Sequence, residues 1–177
     1  EVQAPYGYVL DSTPVSFDVT EENSTQEGGI TLIKVDKPNM AQKGTISVEK
    51  TGEVFFGVNV SGEEDEDVIY QPVYKVKGLA GAVYEITADE DVITPDGTLR
   101  YHKGDVVDTV TTDEDGTAKS KELYLGKYNV VETKAPTGMV INKEKHLVEL
   151  TYAGQDVAVT ETATSFVNER QKVKISL

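Results

Sequence analysis

Lys50, Glu132 and Asn168 are the residues whose types and placement could do chemistry in this chain. Each closes a short run of alternating apolar and polar residues: Ile46, Val48, Lys50; Tyr128, Val130, Glu132; and Phe166, Asn168. Side chains two apart share a strand face, so each polar residue falls on an apolar face. Burying one alone is costly, and a buried lysine must be paired or neutralised. Three readings are open. The residues mark strand ends that reach water. Or they form a buried lysine–glutamate ion pair with a hydrogen-bonded asparagine. Or the apolar surroundings lower the lysine pKa and raise that of the glutamate, so that the proton rests on the carboxyl group and the amine is nucleophilic. In that third case a protonated Glu132 hydrogen-bonds the amide oxygen of Asn168 and polarises its carbonyl carbon. Attack by Lys50 then releases ammonia and leaves an amide bond between side chains.

The elements that must position these residues read as strands. Alternation recurs at Ser16–Val19, Thr45–Val48, Val83–Ile86, Val106–Val110, Tyr128–Val131 and Leu147–Leu150. Turn residues separate the runs: Pro95-Asp96-Gly97, Asp115-Gly116, Gly126-Lys127 and Pro136-Thr137-Gly138. No segment holds a helical period, and many short strands at this spacing predict an all-β, two-sheet antiparallel sandwich. The acidic stretch 61–67 reads as an exposed loop, with calcium binding only weakly supported because the spaced ligand pattern is missing. Asp113-Glu114-Asp115-Gly116 reads as a hairpin turn for the same reason.

The chain also repeats itself. Glu1 through Val9, with Ala4-Pro5 and Gly7, returns as Glu132 through Val140, with Ala135-Pro136 and Gly138. Asn39 through Lys43 returns as Asn168 through Lys172. Two matches at nearly one period indicate stacked copies of about 130 residues. The expected organisation is residues 1–43 as the C-terminal tail of one copy, 44–171 as a complete domain, and 172–177 as the first strand of the next. Glu1 and Asn39 then stand where Glu132 and Asn168 stand in the complete copy. Within the tail, 15–20 is expected to form a hairpin with 30–36. Lys34 is a rival nucleophile if its strand belongs to the complete domain.

Composition narrows the function classes. A formal net charge of −14 argues against nucleic acid or an anionic membrane surface as partner. Cysteine is absent, which removes disulfides, thiol catalysis and cysteine metal sites. The two histidines, His102 and His146, lie far apart, so a histidine metal site or a serine–histidine triad has little support. No apolar run is long enough to span a membrane. Loop acids such as Asp89, Glu90 and Asp91 read as solvated charge and not as a glycosidase pair.

Several motifs together resemble the Cna protein B-type, or SpaA-like, domains of Gram-positive pilins and surface adhesins. They are Gly44-Thr45-Ile46-Ser47-Val48-Glu49-Lys50, Leu79-Ala80-Gly81-Ala82-Val83-Tyr84-Glu85-Ile86, Thr112-Asp113-Glu114-Asp115-Gly116, Leu125-Gly126-Lys127-Tyr128 followed by Val131-Glu132-Thr133-Lys134-Ala135-Pro136-Thr137-Gly138, and Phe166-Val167-Asn168. The stretch around Glu132 is similar to the family's glutamate-bearing signature, the most specific of these. The resemblance implies a prealbumin-like, Ig-like Greek-key sandwich of about seven strands. It implies an autocatalytic isopeptide bond with Lys50 as nucleophile, Asn168 as acceptor and Glu132 as catalyst, with no cofactor and no metal. It further implies a structural stalk repeat of a cell-wall-attached extracellular protein and not an enzyme, with neighbouring repeats as partners. The other functional expectation is an adhesin module for a host protein or glycan, using the acidic insertion or Tyr70–Tyr74. The chain departs from the family in the long stretch between Lys50 and Leu79, read as an extra hairpin or edge loop. It also lacks a sortase motif and a clear pilin-type lysine motif.

Overall fold

The computed structural model describes residues 1–62 and 68–174. Its elements are all strands: β1 (Ser24–Glu27), β2 (Ile30–Ile33), β3 (Lys43–Ser61), β4 (Ile69–Gly78), β5 (Val83–Ala88), β6 (Val92–Ile93), β7 (Leu99–Tyr101), β8 (Val106–Thr111), β9 (Thr117–Lys119), β10 (Leu123–Tyr124), β11 (Gly126–Lys134), β12 (Lys145–Leu150) and β13 (Val159–Asn168). Two sheets make the sandwich. In one, β3 is central and pairs with β13, β4, β9 and β10; the other has the order β12-β11-β5-β8.

Alternation explains the core. Along β5, inward Tyr84, Ile86 and Ala88 are buried while the residues between them are only half covered. They meet Ile46 and Val48 of β3, Leu123 of β10 and Phe166 of β13 from the facing sheet, with Tyr128 and Val130 of β11 alongside. Interleaving of side chains from two inner faces is the ordinary way such sheets exclude water.

One pairing departs from the antiparallel expectation. The long strand β3 and the last strand β13 run parallel, with Phe166 opposite Lys50 and Asn168 opposite Gly52. The chain crosses between sheets before it returns beside β3, so a direct hairpin does not set their direction. The stretch between Lys50 and Leu79 is a ribbon: β3 continues past the sandwich to Ser61 and β4 returns along it, with a bulge between Phe55 and Gly57. Residues 63–67 of the acidic run lie outside the described residues, as do 175–177 at the expected next strand.

The tail differs from expectation. Ser16–Val19 is not a strand, and Val15, Phe17 and Val19 are exposed with no partner edge beside them. The hairpin is instead β1 with β2, closed at Gly28-Gly29. Both glycines have positive φ (57° and 78°), the conformation that a two-residue turn needs to match strand twist. That turn sets the register and leaves 15–20 out of it.

Asp113–Gly116 does form a turn, but it joins β8 of one sheet to β9 of the other and closes no hairpin within a sheet. Asp113 accepts hydrogen bonds from the amides of Asp115 (3.1 Å) and Thr117 (2.8 Å) and from the Thr117 hydroxyl (2.9 Å). These bonds hold its carboxyl below the usual carboxylate range. The turn grips the Lys50 backbone: Lys50 N–H donates to Gly116 O (2.7 Å), and Leu79 N–H donates to Lys50 O (2.9 Å). Gly116 sits at φ +81°, and a Cβ there would come within 2.3 Å of Lys50 O. Gly116→Ala is therefore expected to cost about 2–4 kcal/mol, from left-handed strain and a backbone clash, by urea unfolding.

Candidate functional site

The sandwich brings Lys50, Glu132 and Asn168 together. Lys50 extends inward from β3, Asn168 is the final residue of neighbouring β13, and Glu132 lies on β11 of the opposite sheet, next to a register shift between Glu132 and Lys134. Their exposures are 0%, 2% and 3%. The reading of wet strand ends is thereby excluded. All three sit inside the core because β3 and β11 both continue past these residues, under cover of their neighbours.

The cluster is closely knit. Lys50 Nζ lies 3.2 Å from Glu132 Oε1 and donates to Asn168 Oδ1. Asn168 Nδ2 donates to Glu132 Oε1 (2.9 Å) and Oε2 (3.1 Å), and the Asn142 amide donates to Oε2 (2.6 Å). The rings of Tyr84 and Phe166 wall the amine, with centroids 5.9 and 5.7 Å from Nζ. His146 stacks on the other face of this wall, 3.9 Å from the Phe166 centroid and near parallel to it. The Tyr84 hydroxyl is buried with no hydrogen-bond partner, and burial together with the Glu132 charge pushes its pKa up.

Burial lowers the Lys50 pKa, and the hydrogen bond and charge of Glu132 only partly oppose that effect. The arrangement favours a neutral amine more than water does. The amide orientation differs from the expected one: Glu132 faces the nitrogen of Asn168, not the oxygen. The physical reason is donor accounting. The amine nitrogen has only hydrogens to offer the oxygen, and the carboxyl group takes the amide hydrogens.

This lysine has a pH signature in a chain that cannot crosslink. Its folded pKa lies below the unfolded value of 10.5. Between the two, the unfolded chain holds more protons, so stability rises with pH through that window. Asn168→Ala is expected to gain stability relative to Lys50→Met/Asn168→Ala as pH climbs from neutral toward 10.5. Urea unfolding of both chains across that range checks it, and a flat difference would remove the depressed lysine from the account.

The other sequence candidates lie elsewhere. Lys34 is exposed and pairs with Asp36 at 3.0 Å, outside the cluster. Glu1 and Asn39 do meet, through Asn39 Nδ2 and Glu1 Oε2 at 2.8 Å, but on an exposed surface. His102 is exposed, whereas His146 supports the aromatic wall. Among the described residues no group of acids and histidines is placed to hold a metal. Two contributors were not visible as such in the sequence. Tyr84 reads there only as one more inward residue of β5. The Asn142 amide is a backbone group in a loop, for which residue type carries no signal.

The arrangement is a two-sheet β-sandwich with Lys50 and Asn168 on neighbouring strands of one sheet and Glu132 on the other. The chain belongs to the SpaA family of prealbumin-like fold domains, whose model matches residues 73–164, over half of its length. That stretch contains Glu132 and stops short of Lys50 and Asn168. Among solved structures, the chain is similar to the major pilin subunit of Bacillus cereus (23% identity, 73% of this chain and 30% of that one, TM-score 0.42). It is also similar to the minor pilin GBS52 of Streptococcus agalactiae (16% identity, 92% and 60%, TM-score 0.46). A third similar structure is the full-length major pilin SpaD of Corynebacterium diphtheriae (23% identity, 73% and 30%, TM-score 0.45). The chain thus spans from under a third to 60% of these proteins. No curated protein matches it.

Proposed function

We propose that residues 44–171 are a structural stalk domain of a Gram-positive cell-surface protein, made rigid by an isopeptide bond that Lys50 and Asn168 form under catalysis by Glu132. The observation that carries this reading is the buried contact of one amine, one carboxyl group and one primary amide inside an apolar wall. In the reaction, Glu132 takes a proton from the Lys50 ammonium, and the freed amine attacks Asn168 Cγ. The carboxyl group then delivers a proton to Nδ2, with which it is already hydrogen-bonded. The Cγ–Nδ2 bond breaks and an Nζ–Cγ amide bond remains. The lysine nitrogen gives up two protons in all, both passed through Glu132 to the departing nitrogen, which leaves as ammonium. Glu132 ends as it began. The water-poor site makes each of these charge movements less costly than isolated burial would, because donor and acceptor are already in contact.

The event happens once per molecule, which suits a structural part and not a turnover enzyme. Glu132→Gln keeps the shape and one of the two acceptor oxygens but cannot shuttle the proton. It is expected to fold with native circular dichroism while Lys50 stays a free amine, labelled by an amine reagent after denaturation. Wild-type Lys50 should be unreactive under the same conditions; its labelling would overturn the proposal.

A second reading, a ligand-binding surface module, draws on one observation. The β3–β4 ribbon exposes Phe55, Phe56, Val58, Val60, Ile69 and Tyr70, and such a patch is unusual on a plain spacer. A host protein or glycan is the partner it would suit. Phe56→Ser with Tyr70→Ser should then abolish attachment to host matrix proteins or glycans while leaving the crosslink intact.

A further inference from the structure

The two copies of the repeated motif fold alike, and only one of them is covered. Tyr8 N–H donates to Pro5 O and Met139 N–H to Pro136 O, both at 3.1 Å. Gln42 N–H donates to Gly7 O (2.8 Å) and Gln171 N–H to Gly138 O (2.9 Å). The bridges Tyr8–Ala41 and Met139–Arg170 correspond in the same way. Each copy is thus a small knob: a turn ending in a left-handed glycine, tied to the chain just past the asparagine.

The first knob is seated on the end of the sandwich. Gln42, only 1% exposed, accepts from the Ala153 amide (2.8 Å) and donates to Gly154 O (2.8 Å) and Val157 O. Gln155 takes hydrogen bonds from the Ala4 amide through its side chain and from the Leu10 amide through its carbonyl, both at 2.8 Å. Gly7 lies so near Pro95 that a Cβ would approach its ring to 2.5 Å. The second knob has the same backbone and none of this cover. Gln171 is exposed, with its amide weakly bonded to Met139 O at 3.3 Å, and a Cβ on Gly138 would meet nothing.

We infer that the second knob is a docking surface for the base of another copy of this domain, with Gln171 doing there what Gln42 does here. Its amide oxygen would accept from Ala153 of the second copy, its nitrogen would reach the carbonyls of Gly154 and Val157, and Gly138 would close on Pro95. The occupant is specified by the first knob, which already shows which surface this shape fits. Consecutive domains joined in this way hold a fixed mutual orientation, since the buried glutamine bonds leave the joint no freedom to pivot without breaking them. The inference rests on reading the chain as successive domains, and it is independent of whether Lys50 and Asn168 bond.

The test is a chain in which a second copy, beginning at Lys43, follows directly after Gln171. Amide exchange of Ala153 is read in both copies. Gln171→Ala should speed exchange at Ala153 of the second copy by about tenfold, the effect of losing one such hydrogen bond, and leave the first copy unchanged. Gln42→Ala should do the reverse. Protection at Val130 and Ile86 in both copies verifies that each domain is folded, and intact mass reports separately on the crosslinks. A second-copy Ala153 that exchanges freely in the parent chain, or that ignores Gln171→Ala, would overturn the inference.

Discussion

Lys50→Met is expected to lower the free energy of unfolding by about 4–5 kcal/mol, the contribution that a covalent tie across so long a loop makes by restricting the unfolded chain. The loop runs from residue 50 to residue 168, a separation of 118 (168 − 50). Methionine is the informative substitution because it fills the same space without a charge of its own, and the Glu132 carboxyl group lacks an ammonium partner in the crosslinked wild type as well. Glu132 keeps the Asn168 and Asn142 hydrogen bonds, so little besides the crosslink is removed. Asn168→Ala also deletes the bond but strands the buried lysine beside Glu132, so its loss should be at least as large. A Lys50→Met chain whose urea unfolding falls within about 1 kcal/mol of wild type would mean that no such tie exists, since one kcal/mol is the scale of an ordinary point mutation.

The second large effect is mechanical. Force applied through the ends of the domain enters at the start of β3 and leaves at the end of β13, which lie side by side and parallel. With Lys50 joined to Asn168 the covalent path runs directly from one strand to the other, and the strands between them carry no tension. Pulling on a single wild-type molecule should therefore show no unfolding step from residues 50–168. Lys50→Met should show one of about 400 Å, the contour released when 118 residues extend at roughly 3.4 Å each. A full-length step in the wild type would contradict the load path.

Much of this was legible in the sequence, and the reasons are local. Period-two alternation marked β5 and β12 because each buries one face only, whereas β11 also buries Asn129 on its other face and β8 changes parity between Val107 and Val110. The same parity placed Lys50, Glu132 and Asn168 on inner faces. Three things were not legible. The parallel β3–β13 pairing depends on the route between sheets and not on any residue pattern. Val15, Phe17 and Val19 alternate as a strand should, yet form none, because alternation signals a face and not the partner that must cover it. The Asn168 amide turns its nitrogen to Glu132 because lysine occupies the oxygen, a contest decided by three side chains at once. The β1–β2 turn was readable in principle from Gly28-Gly29, whose paired positive φ angles outrank the alternation around them.

The central claim is that the Lys50 amine and the Asn168 amide become one amide bond through Glu132. Intact mass of the wild-type chain, with Lys50→Ala and Glu132→Ala beside it, tests this most directly. The account predicts a wild-type mass short by one ammonia, the full mass in both variants, and a linked peptide pair containing Lys50 and Asn168 after digestion. A wild-type chain at its full mass would contradict it and leave the three residues as a buried polar cluster without a covalent role.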